Sequence, residues 1–358
     1  MATRRTFLIG AGVGLFAAAG GGGFLFRTKL GALRRGVRVH GLPDVAARPG
    51  KPLPAAAGKS RIVQVHHGRV LTDRGQPEPR AVQELLDKAL RRAYDVEHAG
   101  DAWKALFPDP SEVVGIKVNV IAGKGGPSTS PELVRAIIHG LTRAGIAADN
   151  ILVFDRAQHE LEGAGFTMNP DGPGPRVLSW NLLFRGYQFS DPPLPVNGTP
   201  VRLAHAVRLC SSIINCVVPK HHGMAGYTGA LKSWYGVIEN ARRFHEKIHE
   251  RETIPAIAAL PPIRSRVRLT IAEALRSQSE RGPHSAREWQ FTPRLLMVGT
   301  DPVALDVLGA RVIEEERRRR GLKSLAESDR EPRYFALAAK LGLGTADPAA
   351  IEHLTDEV

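Results

Sequence analysis

Cysteine is almost absent from this chain: its 358 residues hold two, Cys210 and Cys216, with no Cys-x-x-Cys pair. An iron–sulfur cluster or cysteine-built zinc site carried by this chain alone is therefore excluded, and no iron–sulfur cofactor is expected. Cys216 falls in an apolar extended run, where a partner six residues back lies beyond disulfide reach, so both thiols are read as small buried residues. Acidic residues are missing altogether from positions 1–40, which hold seven of the 49 Lys and Arg. The remainder has 42 basic residues against 36 acidic ones, so the net charge of +13 belongs largely to the terminus. It does not describe a nucleic-acid surface, and no nucleic-acid partner is expected. The dense run Arg317–Arg320 follows Glu314-Glu315-Glu316. Acids three and four residues before bases predict a solvated, self-neutralised helix face.

The chain opens Met1-Ala2-Thr3-Arg4-Arg5-Thr6-Phe7-Leu8 and carries no charge from Phe7 to Phe26, a run in which seven of twenty residues are glycine. Paired arginines before a modestly apolar stretch are the layout of a twin-arginine export signal. The twin-arginine translocase is the expected partner, and the expected location is the periplasm. If the signal is not cleaved near Ala17-Ala18-Ala19, the chain stays anchored in the inner membrane facing the periplasm. Residues 1–40 are thus signal or anchor with a basic tail, 41–60 a Pro-, Gly- and Ala-rich linker, and 61–358 one folded domain. Gly58-Lys59-Ser60 imitates the end of a phosphate loop. Leu53 stands where that motif needs glycine, however, and a strand, not a helix, follows.

Apolar residues at Val82, Leu85, Leu86, Ala89, Leu90 and Ala93 repeat at helical spacing. Val113–Val120 is β-rich, Gly123–Ser130 a loop, and Ser130-Pro131-Glu132 a capped helix start that runs to Gly145, before a strand Ile151–Phe154. This βαβ unit predicts an α/β fold: a single domain with a mainly parallel sheet flanked by helices. Ile213–Val218 and Leu295–Val298 are further strands, Thr228–Ile238 reads as a helix start, and Val303 onward is helical.

Ligands in open parallel sheets sit beyond the carboxyl ends of the strands. Three loops qualify, those after Val120, Val218 and Val298. The first supplies Lys117, Asn119 and Lys124 with glycine backbone N–H groups, suited to an anion. The second is denser: Lys220, His221, His222, Thr228 and Lys232 fall within thirteen residues, among glycines that permit close backbone approach to a ligand. The third brings Asp301 and Asp306, which could pair with these bases or ligate a metal; capping a helix is the alternative for Asp301. His245-Glu246-Lys247-Ile248-His249 matches the zinc-protease pattern His-Glu-x-x-His. A charge at Lys247 and charged neighbours argue against a buried zinc helix, and the only third ligand in view is Glu273.

Val114–Asn119, Lys220–Gly236, Asn240 with Arg243 and His245, and Gly299-Thr300-Asp301-Pro302-Val303-Ala304-Leu305-Asp306 together resemble the domain-of-unknown-function 362 family (DUF362), in its branch with twin-arginine signals. The resemblance runs from Ile62 to Ile351 and includes the Gly342-Leu343-Gly344 ending. It implies a shared site: the family's Lys-x-His element is matched by Lys220 and His222, and its Thr-x-x-x-Lys-Asn element by Thr228 and Lys232, with Ser233 in place of the usual Asn. It accounts for His245 through an Arg-Arg-x-His pattern, without zinc chemistry. No reaction or cofactor follows from it.

The leading expectation is a site for a small anion, possessing catalytic groups His222, Lys232 and His245 and binding groups Lys117, Asn119, Lys124, Lys220, Thr228 and Asp301. In this reading the lysines hold negative charge and a histidine moves a proton. A metal-dependent enzyme using His221, His222, His245 or His249 with Asp301 is the first alternative. A noncatalytic periplasmic accessory protein, for which an exposed apolar patch would be expected, is the second.

Overall fold

Among the described residues, fourteen strands are arranged in three sheets: β1 (Ser60–His66), β2 (Val114–Lys117), β3 (Ile151–Asp155), β4 (Arg176–Ser179), β5 (Phe189–Val196), β6 (Thr199–Ala204), β7 (Ser212–Val217), β8 (Lys220–His222), β9 (Gly226–Thr228), β10 (Val267–Ala274), β11 (Ser277–Gln278), β12 (Gln290–Phe291), β13 (Leu295–Gly299) and β14 (Ile351–Glu357). The computed structural model describes residues 45–123, 125–179, 189–245 and 247–358. Residues 1–40, read above as an export signal or anchor, residues 41–44, Lys124, Glu246 and the His249 side chain lie outside the described residues. No helix among the described residues is long and apolar enough to cross a membrane.

The principal sheet has the order β14-β1-β13-β10-β7-β2-β3-β4. All neighbours pair in parallel except β13, which is antiparallel to both β1 and β10. Side chains alternate between the two faces, as the pleat requires. Val63, Val65, Cys216, Ile271, Leu296 and Val298 face one core with the helices Pro79–Tyr94 and Pro131–Arg143; Ile62, Val217, Ala272, Leu295 and Met297 face another beneath the helix Pro302–Arg319. Burial on both faces explains why the strands read as continuous apolar runs.

Glu78 caps the helix Pro79–Tyr94 by accepting from the Ala81 N–H at 2.7 Å, and Ser130 caps Pro131–Arg143 through the Leu133 N–H at 3.1 Å. Thr228–Ile238 departs from its predicted helix start. It closes strand β9 and then forms a short 3-10 helix, Lys232–Val237. The loop expected over Pro219–Tyr227 contains an antiparallel hairpin, β8 with β9, in which Lys220 pairs with Thr228 and His221 with Tyr227.

The segment from Val45, read as part of the linker, hydrogen-bonds to the body. The Arg48 N–H donates to Ser211 O at 3.0 Å, and the Lys51 N–H to Ala105 O at 3.0 Å. Arg268 donates to Arg48 O and to the buried Glu112 carboxylate at 2.8 Å. Such backbone groups find partners in the carbonyls of Arg208 and Ser211, just before β7, and of Ala105.

Both cysteines are buried and unbridged, as expected. Burial pushes the Cys210 thiol up to about 12. The Arg317–Arg320 run is self-paired as predicted at Arg319 and Arg320, which bind Glu316 at 2.7 and 2.5 Å. Arg317 departs from the prediction. Its side chain is buried against Glu280 at 2.5 Å and Ser279 O at 2.8 Å, because the helix turns that face toward the segment after β11.

Candidate functional site

Strands β2, β3 and β7 end side by side, and a cavity of about 440 Å³ opens above them. Six of the predicted residues line it: Lys117, Asn119, His222, Thr228, Lys232 and His245. Lys117, the last residue of β2, is almost fully buried and donates to Asp155 Oδ1 at 2.9 Å and Val118 O at 2.6 Å. Asp155 ends the neighbouring parallel strand, and its second oxygen accepts the Val120 N–H at 3.0 Å. Gly236 forms the wall against this pair. A Cβ there would stand 3.0 Å from Asp155 Oδ1 and 3.2 Å from Lys117 Nζ.

The hairpin β8–β9 explains the Lys-x-His spacing. With a side-chain period of two, Lys220 and His222 share one face with Thr228, while His221 and Tyr227 share the other. Lys220 Nζ, fully buried, donates to Asn119 Oδ1 at 2.7 Å and Pro127 O at 2.9 Å, tying the hairpin to the first loop behind the cavity wall. Burial lowers its pKa to about 7, against smaller opposing effects of Asp155 and Glu160. A neutral amine has two hydrogens to donate, and these two acceptors take both.

His222 Nδ1 accepts the backbone N–H groups of Met224 at 3.2 Å and Ala225 at 3.1 Å. Burial, then Lys232 and His245, hold its pKa well below the usual histidine range. His245 Nδ1 lies 2.8 Å from Ala241 O, a group that can only accept, so this nitrogen carries the proton. The two imidazole centroids are 6.4 Å apart, and Tyr235 meets His245 edge-on at 5.2 Å while lying 4.0 Å from Lys232 Nζ.

Arg156, Glu160, Arg242, Tyr235 and His284 also line the cavity and were not anticipated. Arg156 binds Glu160 at 2.8 Å. Among the described lining residues, the cations Lys117, Lys232, Arg156 and Arg242 outnumber the carboxylates Asp155 and Glu160. The signal that could have found Asp155 was its position: it closes a strand parallel to the one ending in Lys117. Arg242 opens the Arg-Arg-x-His pattern that contains His245, whereas His284 arrives from a segment without any regular pattern.

Several predicted residues are elsewhere. Asp301 caps the helix Pro302–Arg319, accepting from Val303 N at 2.9 Å and Ala304 N at 2.8 Å, and it also takes Thr345 N at 2.9 Å and Ser60 Oγ at 2.5 Å. It stands at the opposite end of the strands because β13 runs antiparallel, so the third loop never joins the first two. Gly344 belongs to this cap: a Cβ there would be 1.8 Å from Asp301 Oδ1, which makes the Gly-Thr-Asp-Pro element and the Gly-Leu-Gly ending one contact. Asp306 is fully buried and accepts from Ala230 N at 2.6 Å and Leu231 N at 2.9 Å, fixing the turn before Lys232 from beneath. Burial raises its pKa to about 7.

His221 points away from the cavity, toward Glu280 at 3.4 Å, with Arg330 at 3.2 Å. Its Nδ1 accepts the Gly282 N–H at 3.2 Å, and burial lowers its pKa to about 4. His245 precedes the helix Lys247–Ala258, so no continuous helix carries the His-Glu-x-x-His residues on one face. Glu273 is occupied by the Ser130 N–H at 2.8 Å and hydroxyl at 2.5 Å. No group of three or more His, Cys, Asp or Glu among the described residues could hold a metal ion.

The fold and cavity together define an α/β protein with a basic, histidine-bearing pocket beyond the ends of parallel strands. The family model described as "Domain of unknown function (DUF362)" matches residues 114–311, and the chain belongs to that family. That span contains every described residue named at the cavity. A crystal structure of a Thermotoga maritima protein from a structural genomics consortium is similar at 11% identity with a TM-score of 0.39, covering 69% of this chain and 60% of that one. Among curated proteins, none matches.

Proposed function

We propose that the cavity binds a small organic anion and that its histidines move a proton on it. The observation that carries this reading is that, among the described lining residues, Lys117, Lys232, Arg156 and Arg242 outnumber Asp155 and Glu160 around a cavity of about 440 Å³ that His222, His245 and His284 also line. A volume in this range takes a small metabolite. Lys220 contributes from behind as a strut, which refines its expected role as a direct ligand.

The metal reading is less well supported by the ring geometry. His222 Nδ1 is engaged by two N–H donors, so Nε2 carries the ring proton and offers a metal no lone pair. His221 is turned away from His222 toward Glu280 and Arg330, which separates the two rings of the His-His pair. The accessory-protein reading called for an apolar patch, whereas the exposed large apolar side chains among the described residues are Met224, Leu341 and Val358, far apart in sequence.

The test is calorimetric titration of phenylphosphate into the protein. Saturable binding that weakens tenfold or more in Lys232→Met supports the site, since a charge-assisted contact contributes roughly 1.5–3 kcal/mol. Equal affinity in the variant and the wild type contradicts it. Export completes the proposal: Arg4 and Arg5 would direct the folded chain through the twin-arginine translocase to the periplasm, released or held at the inner membrane. Replacing both with lysine should leave the protein in the cytoplasmic fraction, and unchanged periplasmic recovery would overturn that part.

A further inference from the structure

Two buried donors line the cavity with a hydrogen to spare. His222 is only 4% exposed, and its Nδ1 accepts the Met224 and Ala225 N–H groups. The neutral ring therefore holds its hydrogen on Nε2, which has no partner among the described residues. Lys117 pairs with a carboxylate that accepts three N–H donors, from Lys117 itself, Val120 and Arg156. Its ammonium carries three hydrogens, of which Asp155 Oδ1 and Val118 O take two. The space beside Nζ is open because Gly236, which also lines the cavity, has no side chain. A Cβ there would stand 3.2 Å from Nζ and 3.0 Å from Asp155 Oδ1. Gly236 is not among the glycines of positive φ, so the backbone does not require glycine at this position. What glycine supplies is room beside the Lys117–Asp155 pair.

Resting on the anion-site reading above, we infer that the ligand is a carboxylic acid with an apolar or aromatic body, whose carboxylate seats at Gly236 and takes the spare hydrogens of Lys117 Nζ and His222 Nε2. Two donors match the two oxygens of a carboxylate. A phosphate monoester brings a third oxygen and a second charge to a wall where Asp155 already offsets Lys117, and desolvating that charge without a partner is costly. Arg242 also lines the cavity, but its side chain is exposed. It attracts anions of either kind through water, so the choice between them falls to the buried donors. The body of the acid lies against Ile121, Met224, Pro283 and the Tyr235 ring, which complete the wall.

Phenylacetate, phenylphosphate and phenylacetamide share a ring and differ in the group that meets the donors, and calorimetric titration ranks them on the wild type. Phenylacetate should bind about tenfold or more tightly than phenylphosphate. Phenylacetamide, whose NH2 group would face a donor, should bind about tenfold or more weakly than phenylacetate. Gly236→Ala fills the seat in a backbone conformation that alanine shares, and it should weaken phenylacetate by about tenfold or more. His222→Asn keeps a carbonyl to accept the Met224 and Ala225 N–H groups but removes the Nε2 donor. It should weaken phenylacetate by about 10–100-fold, the worth of a hydrogen bond to a charged group. Phenylphosphate binding as tightly as phenylacetate, or more tightly, overturns the carboxylate assignment while leaving the anion site intact. Unchanged phenylacetate affinity in Gly236→Ala or in His222→Asn overturns the seat. Phenylacetamide binding as tightly as phenylacetate, or failure of both anions to bind, overturns the anion site itself.

Discussion

Lys220→Met replaces a buried amine with an apolar chain of similar length, and its effect depends on pH in a calculable way. In the native protein the lysine has a pKa of about 7, against 10.5 when solvated, and burial is the main cause. Between those values the unfolded chain holds the proton and the native chain does not, so stability rises with pH. The sign is that of a depressed base: the native state is penalised below pH 7 and relieved as pH climbs toward 10.5. Each unit is worth about 1.4 kcal/mol, so the whole interval amounts to roughly 5 kcal/mol. Methionine does not titrate, and it leaves Asn119 Oδ1 and Pro127 O without their donor, a loss of roughly 1–3 kcal/mol apiece. Urea unfolding of both proteins at pH 7, 8, 9 and 10 isolates the lysine, because the other titrating groups are common to the two. The gap between wild type and variant should widen by about 1.4 kcal/mol per unit, roughly 4 kcal/mol in all. A gap that stays constant with pH refutes the reasoning, since it would mean that Lys220 is charged in both states.

Glu112→Gln should destabilise the protein by about 3–5 kcal/mol in the same assay, because it leaves the guanidinium of Arg268 buried without its carboxylate. The loss should appear in near-neutral buffer and persist at high salt, as expected for a pair excluded from water. Gly140→Ala should cost about 1–3 kcal/mol by calorimetry, because the new methyl would lie 2.2 Å from the ring of buried Trp103. Unchanged melting would show that the indole can yield.

Much of the site was legible because chemistry in parallel sheets gathers at strand ends. Lys117, Asn119, His222, Thr228 and Lys232 were found by asking which polar residues follow buried strands, and the cavity brings them together. His245 came from the family pattern, since nothing in its local periodicity points to a pocket. Strand direction was what the apolar runs could not convey. Leu295–Val298 reads like any buried strand, yet β13 is antiparallel, and that reversal sends Asp301 to the other end of the strands as a helix cap. Alternation within Lys220-His221-His222 was present in the sequence but hidden by flanking glycines that suggested an irregular loop. Once paired as β8, it separates His221 from Lys220 and His222, of which His222 lines the cavity. Arg317 shows the converse: its charge pattern satisfied a solvated face, and only the tertiary partner Glu280 explains its burial.

The most direct measurement is a nitrogen-15 correlation spectrum of the histidine rings as phenylphosphate is added. His222 and His245 line the proposed site, whereas His139 lines a separate cavity of about 670 Å³ among the helices on one face of the sheet. The ring signals of His222 and His245 should move together and saturate at one common dissociation constant, with His139 unmoved. Movement of His139 in place of that pair, or no saturable movement at all, would contradict an anion site in this cavity.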